Sequence, residues 1–152
     1  MTDEIESLLG GRKIVAIPAD PDGAEQHLAR ARTTLEQARL LTDAALQERL
    51  RYEAGLHLAL ALMAADGYRL RSGPGHHESA VAYLRARLGR DPGLKAAVRV
   101  LDMTRRNRNS ELYRAVEVGA AAAEASAAAV AVLLRAVAIE LEALSGRTTE
   151  RQ

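Results

Sequence analysis

The chain has no cysteine, no phenylalanine and no tryptophan, and only four prolines among its 152 residues. Without cysteine it can form no disulfide, no thiolate metal site and no cysteine nucleophile, and it suits a reducing compartment. Rings come only from Tyr52, Tyr68, Tyr83 and Tyr113. The 48% of hydrophobic residues are almost all Ala, Leu and Val. A sandwich or barrel draws on more β-branched and aromatic side chains, whereas small side chains let helices approach closely. The expected fold is therefore all-α with a thin core. Charge of one sign is lacking too. At a net +1, no whole-protein field draws the chain to nucleic acid. The longest nearly apolar run, Ala54 to Ala65 around His57, is too short to span a bilayer. The start Met1-Thr2-Asp3-Glu4 lacks the basic-then-apolar pattern of a secretion signal. A cytoplasmic protein with no membrane partner is expected.

What is present is one domain's worth of chain with a globular balance of apolar and charged residues. The cations are nearly all arginine, with Lys13 and Lys95 the two lysines, and arginine is the better phosphate fork. Residues 1–23 read as an N-terminal arm. In it Asp3 to Leu9 can make two helical turns, Gly10-Gly11 breaks them, and Lys13 to Pro18 is extended. Pro18, Pro21 and Gly23 then mark a loop. A lone strand has no partner in this reading, so the arm either packs on the bundle or is mobile. Residues 24–146 read as an antiparallel bundle of about five helices, and residues 147–152 as a disordered tail.

The helices are expected at about 24–41, 43–68, 77–88, 94–115 and 116–144. Leu28, Ala31, Leu35, Ala38 and Leu41 line the first. Thr42-Asp43 supplies the N-cap of the second, which is apolar on all sides from Ala54 to Ala65 and so belongs in the middle of the bundle. Glu78 sits in the first turn of the third, where the helix dipole favours a carboxylate. Val130, Leu133, Val137, Leu141 and Leu144 give the last helix its core face, with Gly146 as its stop.

The fourth helix carries the candidate site. Its apolar stripe Leu94, Val98, Leu101 continues, at steps of four and three, onto Arg105, Arg108 and Leu112. Two arginines thus stand where the core stripe should go on. Asp102, Arg106, Asn109 and Tyr113 form a neighbouring row. This half of the helix is either a solvated face, with Asp102 paired loosely to Arg105 and Arg106, or a surface that faces a groove or a partner subunit. In the second case the Arg forks bind phosphate, and Asn109 and Tyr113 contact sugar or base.

Several residues carry a resemblance at this point. They are Arg51-Tyr52-Glu53-Ala54 in the second helix, Gly67-Tyr68 at its end, Gly75-His76-His77, and Arg105-Arg106-Asn107-Arg108-Asn109 followed by Tyr113. Over most of residues 24–145 the chain resembles the HEPN superfamily of small helical bundles. In that family a helix carries Arg and a polar residue, then His after a gap, and two copies of the helix meet across a homodimer. Catalytic members are metal-independent ribonucleases, many of them toxins paired with antitoxins, while others only bind nucleotides or proteins. Carried over, Arg108 and Asn109 match the Arg-polar pair, and Tyr113 stands where the family has His. A phenol with an ordinary pKa of about 10 is a poor acid/base at pH 7, where imidazole serves well. The resemblance therefore implies binding of RNA or a nucleotide with weak or lost ribonuclease activity. It leaves two alternatives, a non-catalytic protein-interaction module and an active ribonuclease toxin. Arg108, Tyr113 and His57 are the catalytic candidates, with His57 able to supply the missing imidazole if it reaches the cluster. Asp102, Arg105, Arg106 and Asn109 are the binding candidates.

Other chemistry finds no footing. Arg71 and His76 have the family's spacing, but Ser72-Gly73-Pro74-Gly75 between them cannot be helical. His76 and His77 read as fixing a loop, and as a metal pair they lack a third ligand. His27 reads as exposed and ordinary. No phosphate-binding Gly-rich loop, Gly-x-Ser-x-Gly or di-iron pattern is present, and no cofactor is implied.

Overall fold

The computed structural model describes residues 2–108 and 119–150. Within them the chain is an all-α bundle with a two-stranded ribbon at its edge. The helices are α1 (Asp3–Gly10), α2 (Pro21–Leu40), α3 (Ala44–Asp66), α4 (His76–Leu88), α5 (Pro92–Arg108) and α6 (Ala120–Glu150). The strands are β1 (Ile14–Ala16) and β2 (Tyr68–Leu70).

Polar caps start the helices, because a side-chain oxygen can accept from otherwise unpaired first-turn N–H groups. Thr2 accepts from the Ile5 amide, Asp20 from Gly23, Asp43 from Leu46 and Asp91 from Leu94. Asp43 is the N-cap expected from the sequence. As its apolar circumference implies, α3 is central and packs against α2, α4, α5, α6 and β2. Tyr52 and Tyr83 are the largest fully buried side chains and fill space that Ala leaves around them. The core face of α6 runs through Val130, Leu133, Val137 and Leu141, again as read from the sequence.

Three expectations are corrected. The extended segment of the arm does have a strand partner. β1 pairs antiparallel with β2, with Ile14 opposite Leu70 and Ala16 opposite Tyr68. Tyr68–Leu70, at and just beyond the expected end of the second helix, supplies that strand. Gly67 ends α3 at φ +91° and turns the chain back along the arm. The arm therefore belongs to the core, where it buries Ile5 and Ile14. The helix starting the bundle begins at Pro21, not Ala24, because Asp20 caps it and proline suits its first turn. Finally, α6 runs on through Gly146 to Glu150. A glycine stops a helix only when the following chain turns away in a left-handed conformation, and Gly146 does not have a positive φ.

Candidate functional site

At the C-terminal end of α5, Asp102, Arg105 and Arg106 are brought together. Arg105 Nε donates to Asp102 Oδ1 at 2.9 Å, and Arg106 Nη2 approaches Asp102 Oδ2 at 3.2 Å. The Asp102 and Arg105 side chains are each 15% exposed, whereas that of Arg106 is 72% exposed. The carboxylate therefore anchors one arginine against the helix surface, and the second projects into solvent. Pairs of the latter kind contribute little to stability.

The apolar stripe of α5 does not continue onto Arg105. Its buried face is Ala97, Val98, Leu101 and Thr104. From Leu101 the core follows the step of three, and the step of four lands Arg105 on the flank, about 100° away from Thr104. Thr104 is tolerated inside because its hydroxyl donates back to the Val100 carbonyl at 3.1 Å. The same hydroxyl lies 3.5 Å from Glu48 Oε1 of α3, whose residue is 6% exposed. Arg51, one turn along α3, donates from Nη1 to the Ala123 carbonyl of α6 at 3.2 Å. Ser126, also buried, follows on α6. The apolar core thus gives way to polar groups at the end of the bundle where α3 begins, α5 ends and α6 begins. Glu48 and Thr104 were missed in the sequence. A single Glu on a helix reads as solvated, and its i+4 and i+7 neighbours Tyr52 and Gly55 were the one hint of a packed face.

Arg108 ends α5. Its side chain, and all of Asn109 and Tyr113, lie outside the described residues. His57 is not brought to the α5 cluster. Gly55, two residues earlier, is the position of α3 that lies against Leu101 of α5, so His57 points about 200° round the helix from it. The groups that bias its charge are His27, Arg30 and Glu53, on α2 and α3.

His27 is not an ordinary exposed residue. It is half-buried, and its Nδ1 stands 3.1 Å from His57 Nδ1, with ring centroids 5.4 Å apart. Burial holds the pKa of both imidazoles below the usual histidine value. Asp20 opposes this for His27. For His57, His27 and Arg30 reinforce it and Glu53 opposes it. The consequence for stability follows directly. The unfolded chain takes up protons at these rings near pH 6.5, and the folded chain does so only at lower pH. Their contribution is complete above pH 6.5 and is lost as pH falls through the depressed folded values. Urea midpoints measured between pH 7.5 and pH 5 should fall, and the fall should be smaller in His27→Gln. An equal fall in that variant would place the pH dependence elsewhere.

The remaining histidines serve the loop before α4. His76 Nδ1 donates to the Gly73 carbonyl at 3.0 Å, and the His77 ring meets Tyr52 edge-on. Residues 72–75 between Arg71 and His76 are non-helical, as expected.

A second polar cluster, unforeseen in the sequence, locks α3, α4 and α6. Asp66 Oδ2 accepts from the Tyr83 hydroxyl at 2.5 Å and from Arg87 Nε at 2.6 Å, and Asp66 Oδ1 accepts from Arg87 Nη2 at 3.2 Å. Glu140 of α6 lies 3.4 Å from the same Nη2. Burial raises the Tyr83 pKa, and its hydrogen bond to Asp66 raises it further. For Arg87, burial disfavours the charge, but the hydrogen bond and charge of Asp66 outweigh that and leave its pKa raised. This cluster ties α3, α4 and α6 together.

The fold and these clusters define a small all-α bundle protein, in which no described helix is long and apolar enough to cross a membrane. Comparison with family models, with curated proteins and with solved structures finds no match for the chain.

Proposed function

We propose that the C-terminal end of α5 binds RNA or a nucleotide through its arginines, in a HEPN-like homodimer whose ribonuclease activity is weak or lost. The carrying observation is the division of labour at Asp102. One carboxylate holds Arg105 in place and leaves Arg106 exposed. A guanidinium presents five donors in a planar fork suited to phosphate oxygens, and an anchored neighbour lowers the ordering cost of that capture. Cleavage next to a 2′-hydroxyl also needs a group that takes and returns a proton, which arginine does not do. The described imidazoles stand on other elements, His27 and His57 between α2 and α3 and His76 and His77 at the start of α4. This favours binding over catalysis. Exposed Met103 beside the cluster favours, as a second reading, a surface that docks a protein such as an antitoxin.

The test is binding of a short single-stranded RNA at 50 and 200 mM salt. Arg105→Ala/Arg106→Ala should weaken binding about tenfold and reduce the salt slope by about one to two. Absence of wild-type binding at 50 mM salt, or a monomer mass by light scattering, would transfer the lead to the interaction module. Metal-free cleavage that disappears in His57→Ala would establish the active ribonuclease instead.

A further inference from the structure

We propose that the cavity between the start of α1 and the α4–α5 turn binds a small sugar phosphate, its phosphate held by Arg85, Arg90 and Lys95 and its hydroxyl groups by Asp3 and Glu4. The cavity measures about 500 Å³, the size of a small-molecule site. Arg85 on α4, Arg90 in the turn and Lys95 on α5 line it together with Asp3 and Glu4 of α1. Among the described residues no ion pair joins any of these five groups. Opposite charges thus share one cavity without neutralising each other. Asp91, the carboxylate between Arg90 and Lys95 in the chain, is turned instead to the amides of Gly93 and Leu94, at 2.8 and 3.1 Å. The turn that presents the cations is fixed by its own backbone. The Gly89 amide donates to the Arg85 carbonyl at 2.7 Å, and the Lys95 amide to the Asp91 carbonyl at 2.9 Å. Lys95 lies about 15 Å along α5 from Arg105, so the site is separate from the α5 surface and does not depend on its reading.

The ligand class follows from the groups on the walls. A phosphate monoester carries a charge of about −1.5 to −2 at pH 7 and three strong acceptor oxygens. Two guanidinium forks and an ammonium supply donors only, and charge-assisted bonds of this kind are the strong ones. An ionised carboxylate accepts only. The part of the ligand that faces Asp3 and Glu4 must therefore donate, as a hydroxyl group does. A bare anion filling the cavity would be repelled by those two carboxylates, whereas a phosphorylated polyol satisfies both kinds of wall. None of the residues lining the cavity is aromatic, so a nucleobase would find no ring to stack on. Ala86 and Gly89, also on the wall, are too small to fill the space.

The experiment is a nuclear magnetic resonance titration of the full chain at pH 7.5 and low salt, with ribose 5-phosphate, inorganic phosphate and ribose as probes. Ribose 5-phosphate should shift the amide signals of Glu4, Gly89 and Lys95 saturably, with a Kd of about 1 mM or below. Inorganic phosphate should bind about tenfold more weakly, and ribose should leave the signals in place. Arg85, Arg90 and Lys95 are exposed, so replacing them leaves the core intact. Arg85→Gln and Lys95→Gln should each weaken ribose 5-phosphate binding about tenfold, while Arg32→Gln, which removes an exposed charge from α2, should not. Asp3→Ala/Glu4→Ala should tighten inorganic phosphate and narrow the preference for the sugar phosphate over it. No saturable shift with ribose 5-phosphate, equal affinity for inorganic phosphate, an equal loss in Arg32→Gln, or an unchanged preference in the double variant overturns the proposal.

Discussion

Asp66→Ala is expected to cost about 3 kcal/mol of folding stability, the scale for removing one partner of a largely buried ion pair. Asp66 is the last residue of α3, whose final turn holds no basic residue. A carboxylate at that end faces the negative pole of the helix dipole. Arg87 of α4 offsets this with a two-point contact, and its side chain and that of Asp66 are 21% and 15% exposed. Without the carboxylate, the ion-pair partner left to Arg87 among the described residues is Glu140 at 3.4 Å. The Tyr83 hydroxyl loses its acceptor inside the core, which costs about 1–3 kcal/mol for a buried polar group. The partial exposure of Arg87 keeps the sum near the lower end. With an m-value of about 2 kcal/mol/M in urea, the unfolding midpoint should move down by about 1.5 M. Asp66→Asn retains an acceptor for the phenol and should lose less. A midpoint for Asp66→Ala within about 0.3 M of wild type, that is about 0.6 kcal/mol, would show that the cluster is no more than a solvated ion pair.

Gly67→Ala is the second large effect, at about 2–3 kcal/mol. The residue sits at φ +91°, where a Cβ costs roughly 1–2 kcal/mol by itself. That Cβ would also stand 2.8 Å from the carbonyl oxygen of Ile17, a backbone atom with no rotamer to change. Ile17 cannot withdraw freely, because its amide donates to the Gly67 carbonyl at 2.9 Å and the next bond, from the Asp20 amide to the Ala64 carbonyl, measures 2.8 Å. Strain should therefore pass into the ribbon. Amide hydrogen exchange should speed up at Ile17 and along β1 more than at the centre of α3. Uniform acceleration over the whole chain, or no loss of stability, would contradict the tight approach seen here.

Much of the bundle was legible along the chain. The apolar circumference of residues 54–65 placed α3 at the centre, Asp43 announced its start, and Val130, Leu133, Val137 and Leu141 marked the buried face of α6. Each rests on interactions within a few residues, where helical periodicity and capping are set locally. The candidate site was legible in part. Asp102, Arg105 and Arg106 lie within one turn, so their clustering is a property of α5 alone. Whether the core passed through Thr104 or Arg105 was not, since steps of three and four are both helical and packing against α3 chooses between them.

Composition, periodicity and caps act over short separations, and they suffice for an all-α chain, its central helix and a polar end to α5. Packing between elements is what joins the arm to the core through β2, brings Asp66 to Tyr83 and Arg87, buries Glu48 against Thr104 and sets His27 against His57. Partners 17 to 56 residues apart are joined in these contacts. No local pattern encodes them, since each depends on how two helices, individually well specified, are rotated against one another when their small apolar faces close.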